Sequence, residues 1–327
     1  MFNSTHTLVG LALARAGGGR GTPWAPLAAA LAANLPDIDI VTALYGPAFY
    51  LAHHRVESHS LPGILVLSLG LAALLYGLQH GWAGRRGPGA RRAHFGPLLR
   101  LVLISMLTHP LLDYTNFYGI PLLWPLSRRW YAADIIHIVN PYMDVGLGLC
   151  LWWSYRQPSR RRAWAAGGLI FVMAFWALCA VSHREAERRL AASTVYGEPP
   201  VSAEAFPTAW NPFTWAAVFE TRAARHRVYI SAWGTPGDLR PLVTAFKPAE
   251  DAVMERARTA YAARVFLDFA RFPVAKVESL PQGYRVTWVD FRTYDPATRT
   301  GFAAWVTLSP DLRILSDDFS YRRRVDF

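Results

Sequence analysis

Eight of the ten histidines fall within the first 182 residues, and most stand in short groups with aspartate. His6 follows Ser4-Thr5 at the start of an apolar stretch, and Pro36-Asp37-Ile38-Asp39 closes the next one. If that segment is extended, its two aspartates point to one side. His53-His54-Arg55-Val56-Glu57-Ser58-His59-Ser60 precedes a third apolar stretch. On a helix, His109-Pro110-Leu111-Leu112-Asp113 places an imidazole and a carboxylate one turn apart, about 5–6 Å between Cβ atoms, which suits two ligands of one ion. Asp134 and His137 follow at i, i+3, and then Asp144. Imidazole and carboxylate without thiolate form a donor set for zinc, manganese or iron. The two cysteines, Cys150 and Cys179, sit inside apolar runs and read as packing residues.

The chemistry such a set supports is activation of water, whose pKa falls to near 7 on a divalent ion, for attack on a phosphorus or carbonyl centre. The expected metal ligands are Asp37, Asp39, His59, His109 and Asp113, joined by His6 and His54. Asp134 and His137 are expected as catalytic or orienting groups beside them. Arg55 is expected to hold a phosphate oxygen, because its planar fork matches that geometry, with a lipid headgroup contact as the plainer reading. Taken singly, each group has an ordinary explanation: a bond between helix neighbours, an Asx turn, a helix cap. Taken together, those explanations require unrelated groups to use nearly all the acids of this half of the chain.

The elements that must position these residues are membrane helices. Hydrophobic residues make up 52% of the 327 positions and charged residues 17%, which excludes a disordered chain and argues against an ordinary soluble enzyme. The net charge of +11 is unevenly spread: residues 1–182 carry 14 Arg, no Lys and six acids, a balance of 14 − 6 = +8. Uncharged or nearly uncharged runs at 61–78, 97–112, 138–155 and 163–182 read as spans. The shorter runs 4–14 and 22–36 read as a helical hairpin dipping into the bilayer. Arginine clusters at 15–20, 85–100 and 156–162 mark cytoplasmic loops, so they report topology rather than nucleic-acid binding. That assignment, made without the histidines and aspartates, puts every candidate group on the outer face and leaves Arg128 and Arg129 there against the rule. No basic residue precedes the first apolar stretch, so no cleavable signal peptide is expected.

The expected architecture is an all-α polytopic membrane domain (1–182) of about four spans plus the hairpin. A charged helical extension and linker (183–212) follows, then a small α+β soluble domain (213–327), extracytoplasmic on this topology. In the last part, 226–233, 284–292, 301–309 and 312–319 read as strands, 248–269 as one helix and Pro310-Asp311 as a hairpin turn. Trp233, Trp288 and Trp305 read as core aromatics.

Across residues 1–160 the order of motifs resembles the membrane-bound metal-dependent hydrolase family of bacterial inner membranes, which includes LexA-regulated members. The matching residues are Thr5-His6 with Val9-Gly10, Leu35-Pro36-Asp37-Ile38-Asp39, and His54-Arg55 with His59-Ser60. They continue with His109-Pro110-Leu111-Leu112-Asp113, Tyr118-Gly119, Pro125, and Asp134 near Asn140-Pro141. One departure is Ser58, where the pattern suggests Thr before the histidine. The resemblance implies a metal-dependent hydrolase, distantly similar to zinc phospholipase C and P1-type nucleases. The expected cofactor is one to three divalent ions, zinc or alternatively manganese. The expected substrate is a phosphoester or lipid-linked compound at the outer face of the inner membrane, with the bilayer and no nucleic acid as partner. The competing class is a non-enzymatic transporter or receptor with a structural metal. The lack of an internal repeat and the placement of the ionisable groups at one end speak against the transporter. The absence of H-E-x-x-H weakens a metalloprotease.

Overall fold

A computed structural model describes residues 1–19, 21–87, 92–248 and 251–327; Arg20 and Arg91 of the arginine clusters lie outside the described residues. The chain divides into two compact units, residues 1–40 with 54–181, and residues 41–53 with 182–327.

The first unit is helical. It comprises α1 (Asn3–Leu13), α2 (Ala25–Asn34), α4 (Leu61–Arg86), α5 (Phe95–Tyr114), α6 (Pro141–Arg156) and most of α7 (Arg161–Ala191), while α3 (Pro47–His53) belongs to the second unit. Four helices among the described residues are long and apolar enough to cross a membrane: Ala25–Tyr45, Leu61–Arg86, Phe95–Tyr114 and Pro158–Ala191. The number agrees with expectation but the membership differs. The 138–155 run yields α6 of only 16 residues, about 24 Å at 1.5 Å per residue, short of a ~30 Å hydrocarbon core. Conversely, α2 continues as a 3₁₀ helix over Leu35–Tyr45 and so becomes long enough.

Small residues bring the first two helices together. Ala25, Ala28, Ala29, Ala32 and Ala33 of α2 are all buried, and a Cβ on Gly10 of α1 would stand 2.6 Å from the Ala29 carbonyl oxygen. Close backbone approach through small residues is how helices associate where lipid is as apolar as the side chains. A second brace ties α1 to α6. Ser4 and Thr5 donate to Asp144 at 2.7 and 2.5 Å, and at the far end Arg15 donates from Nε and Nη2 to Ser154 at 2.8 and 2.6 Å. Helix α4 starts on a Ser60 cap, whose Oγ accepts from the Gly63 amide at 3.2 Å, and α6 starts on Asn140, which accepts from Met143 at 3.0 Å.

The second unit contains two four-stranded antiparallel sheets. The first, in the order β1-β2-β3-β4, is built from Ser202–Pro207, Thr214–Glu220, Ala224–Ser231 and Val243–Phe246. The second, β5-β6-β7-β8, is built from Pro273–Leu280, Gly283–Asp290, Thr300–Leu308 and Ile314–Arg324. The unit is thus sheet-rich, consistent with α+β, but with twice the strands expected. Strand β1 lies in the segment read as linker, where Pro207 closes the strand at the sheet edge, a position that tolerates proline. The expected single helix is two, α8 (Ala252–Arg258) and α9 (Tyr261–Phe269), broken by extended backbone at Ala260; residues 249–250 of that expectation lie outside the described residues. Helix α9 packs on β7 and β8, and α3 packs on α9 and β8. Trp288 is core and Trp305 is half-buried under Arg323, but Trp233 is 66% exposed and so is not a core residue.

The contact at Gly10 sets up a test. Gly10→Leu is expected to destabilise the protein by about 1–3 kcal/mol through overpacking. Gly81→Ala on α4, which meets nothing within 4 Å, should be neutral or slightly stabilising. Thermal unfolding of the two purified variants in one detergent compares them; equal midpoints would contradict the close α1–α2 contact.

Candidate metal centre

Helices α1, α4 and α6 begin, and α2 and α5 end, around one cluster of side chains. His59, in the turn before α4, and His109, in the last two turns of α5, are fully buried, and their Nε2 atoms stand 3.0 Å apart. Asp37 Oδ1 lies 3.5 Å from His59 Nε2 and 3.4 Å from His109 Nε2. Asp113 Oδ2 lies 3.6 and 3.7 Å from the same two atoms. A tetrahedral ion with ligand bonds of about 2.0–2.2 Å separates its ligands by roughly 3.3–3.6 Å. Asp37 and Asp113 each therefore stand, with the two imidazoles, at separations close to those between ligands of a zinc ion.

Each donor is aimed by a partner. His109 Nδ1 bonds the Ala33 carbonyl at 2.7 Å, one of the carbonyls that the end of α2 leaves without an intrahelical partner. A carbonyl accepts only, so Nδ1 carries the proton and Nε2 presents a lone pair to the centre. His59 Nδ1 is 3.0 Å from Ser58 Oγ, and Ser58 donates to Asp39 Oδ2 at 3.1 Å. The hydroxyl is what this position uses, and Ser supplies it as Thr would. Asp39 also takes the Arg55 amide on Oδ2 and His54 Nδ1 on Oδ1, each at 2.9 Å, so it ties the 54–59 turn to the 3₁₀ segment.

That segment corrects the extended reading of Pro36–Asp39. Asp37 and Asp39 ride a 3₁₀ helix, which gives them different nearest partners while keeping a carboxylate oxygen of each within 4.8 Å of the other. Asp37 faces His59 and His109, and Asp39 faces the 54–59 turn. The cluster accordingly falls into three overlapping ligand groups: Asp37 with His59 and His109, Asp37 with Asp39 and His54, and His6 with His109 and Asp113. Asp37 and His109 each belong to two of these groups, as shared ligands do in multi-ion sites.

His6 provides a direct test of whether the residues fit a metal. Its ring is 0% exposed and stacks on His109 at 3.8 Å; neither ring nitrogen has a partner at hydrogen-bond distance among the described residues, Nε2 standing 3.6 Å from Asp113 Oδ1. A buried imidazole left unbonded costs about 1–3 kcal/mol, and a coordinating ion removes that cost. The donor set and this orphaned ring both fit a divalent cation.

Arg55 completes the surroundings from a left-handed backbone conformation, φ 66°. Its Nε lies 3.3 Å from Asp113 Oδ2, and Nη1 donates to Asn116 at 3.2 Å and to the Gly119 carbonyl at 3.4 Å. Among the described residues Nη2 carries no bond. Asn116, fully buried, accepts from Arg55 and from the Tyr118 amide at 2.9 Å. The sequence reading missed it, although an Asn three residues beyond His-Pro-Leu-Leu-Asp and just before Tyr-Gly carries the signal of an Asx turn. Burial pulls the His54 pKa below its ordinary value. At His59 burial acts in the same direction, but hydrogen bonds with Asp113 and Asp37 outweigh it and raise the pKa.

Two expected residues stand apart from the ligand groups. His137 Nδ1 lies 3.2 Å from the Val139 carbonyl, and its ring lies beside Phe117 at 5.7 Å. Asp134 is buried in left-handed backbone, φ 56°, in a stretch tied to the end of α5 by bonds from Ala133 to Tyr114 and from Ile135 and Ile136 to Thr115. Asp144, left unassigned by the sequence, is the acceptor that seats the start of α1.

Residues 1–186 match the YdjM inner membrane protein family. The chain belongs to that family. It is a membrane protein of an inner-membrane family, and the match covers the whole helical cluster just described. It is also similar to the uncharacterized protein YfhP of Bacillus subtilis (strain 168), 27% identical over 169 residues, 49% of this chain and 48% of that protein. The chain thus spans about half the length of this curated relative. No solved structure matches the chain.

The ligand geometry predicts that His109→Ala and Asp39→Ala lose bound metal, and that Ser58→Ala weakens it by about 10–100-fold while Ser58→Thr retains it. Elemental analysis of the purified full chain checks this. Full occupancy in both His109→Ala and Asp39→Ala would refute the site.

Proposed function

We propose that this protein is a membrane-bound metal-dependent hydrolase. On this reading it acts on a phosphoester or lipid-linked substrate at the outer face of the inner membrane, with its C-terminal unit outside as well. The observation that carries the reading is the set of four converging donor atoms, His59 Nε2, His109 Nε2, Asp37 Oδ1 and Asp113 Oδ2. Zinc suits them best, with manganese as the alternative, and the three overlapping groups allow one to three ions. Bound there, such an ion lowers the pKa of water and polarises a phosphoryl oxygen.

The chain's own residues supply the rest. Arg55, with Nε and Nη1 fixed, offers Nη2 to a phosphate oxygen beside Asp113, where a positioned charge acts at low dielectric. His54, held by Asp39 at 2.9 Å and 24% exposed, is placed to exchange a proton with solvent. Asp37 is 22% exposed, whereas His59, His109 and Asp113 are at most 1% exposed. The cluster is therefore reached past Asp37, as a catalytic site needs and a closed structural site does not. What supports the outer face is the placement of basic residues at the opposite helix ends: Arg85 and Arg86 close α4, Arg156 closes α6, and Arg161 and Arg162 open α7.

Hydrolysis of alkyl phosphates by the purified protein is expected to require zinc or manganese and to stop with chelator. Arg55→Lys should lower kcat/KM by roughly 10²–10³-fold, the loss typical of one transition-state donor, with metal content unchanged. Rates unaffected by chelator would exclude the hydrolase reading. Bound metal without turnover of any phosphoester would favour a structural metal in a receptor.

A further inference from the structure

An open groove of about 500 Å³ runs along the first unit from the metal centre, a volume within the range of sites that hold small molecules. Its walls are one face of α1, with Asn3 and Thr7, and one face of α2 and its 3₁₀ continuation, with Leu27, Ala30, Leu31, Asn34, Leu35, Asp37 and Ile38. The groove is graded along its length. Asp37, the exposed member of the donor set, lies at one end. Next comes a polar rung, in which Asn34 donates to Thr7 Oγ1 at 2.9 Å and Thr7 donates to the Asn3 carbonyl at 2.8 Å. Asn34 Oδ1 is buried without a partner among the described residues, an acceptor left over beside the rung. Beyond the rung the walls are Ala30, Leu27 and Leu31, and the two leucines are exposed at the surface of a helix apolar enough to span the bilayer.

The dimensions follow from helix geometry. From Leu27 to Asp37 the wall rises about 15 Å at ~1.5 Å per residue, the depth of one leaflet of a ~30 Å core. A polar end at a buried donor cluster, a short polar rung and one leaflet of apolar wall match the parts of a single-chain amphiphile: charged head, polar junction, hydrocarbon tail. Lipid lying against an ordinary span meets a polar-to-apolar gradient as well, but no donor cluster at its polar end.

We propose that this groove binds the hydrocarbon chain of a phosphate-headed membrane lipid, which enters from the bilayer along the open side of the α1–α2 pair until its head reaches the donor cluster past Asp37. The identity of the head rests on the hydrolase reading; the binding of the chain does not. The groove makes membrane lipids, rather than water-soluble phosphoesters, the substrate class, and Leu27 and Leu31 at its far end measure chain length.

The test uses the full chain, metal-loaded, in phosphatidylcholine nanodiscs, with hexadecyl phosphate carrying a diazirine at the end of its chain. Labelling mapped by mass spectrometry is expected in residues 25–34, about tenfold above the lipid-facing surfaces of α4 and α7, and to fall about tenfold with excess unlabelled hexadecyl phosphate, a difference of about 1.4 kcal/mol. Ala30→Phe, which fills the groove, should abolish that labelling with metal content unchanged, whereas Leu65→Phe on the exposed face of α4 should leave it intact. Labelling spread evenly over the exposed helices, or labelling of 25–34 that the competitor does not reduce, would overturn the proposal without any variant. The two readings fail separately. Competed labelling in the groove with no hydrolysis under any metal leaves the lipid site standing and removes the enzyme. Hydrolysis with diffuse labelling does the reverse.

Discussion

The structure of the first unit depends on a carboxylate buried among membrane helices. Asp113 is 1% exposed at the end of α5, a place where an uncompensated charge costs several kcal/mol. The surrounding elements each bring something that answers this charge. The turn before α4 brings His59 and Arg55, α5 itself brings His109 one turn earlier, and α1 with the residues just before it brings His6 and the Met1 amino group, which bonds Asp113 Oδ1. Three elements thus meet at one carboxylate, and the braces at Asp144, Asp39 and Ala33 fix the angles at which they meet. The small-residue contact between Gly10 and Ala29 serves the same end, because His6 reaches the centre only if α1 lies against α2.

Much of this was legible in the sequence because the relevant constraint is local and severe. Charged and imidazole groups are scarce in membrane segments, so the few present stand out, and the arginines report which helix ends face which way. The spacing of His109 and Asp113 survives as written, since a helix fixes it. What escaped depends on backbone form and on distant contacts. The i, i+2 spacing of Asp37 and Asp39 is compatible with strand or 3₁₀ geometry alike, and only packing selects the 3₁₀ form that gives them different nearest partners. Asn116 and Asp144 act through partners 61 and 140 residues away, a separation that no local pattern encodes. His137, expected as a catalytic or orienting group, has its Nδ1 3.2 Å from the Val139 carbonyl.

The second unit was less legible. Its strands are short, and the missed ones, β1, β2, β4 and β5, lack clean alternation: β2 is buried at five consecutive positions and β5 is half-buried at most of its positions. A strand covered on both faces reads as a plain apolar run, and proline at the end of β1 masked it as linker. The break between α8 and α9 falls at Thr259-Ala260, with no glycine or proline to announce it. Trp233 shows the converse error, a large aromatic taken for core that lies at the surface. In the first unit chemistry constrains the sequence more tightly than shape does, and in the second the reverse holds.

The central claim is that His59, His109, Asp37 and Asp113 hold one ion between them. X-ray absorption at the zinc edge of the purified, zinc-loaded full chain tests it most directly. The structure predicts about four nitrogen and oxygen ligands at ~2.0–2.1 Å, two of them with imidazole scattering, and no sulfur at ~2.3 Å. A shell of water oxygens alone, or a sulfur ligand from Cys150 or Cys179, would contradict it.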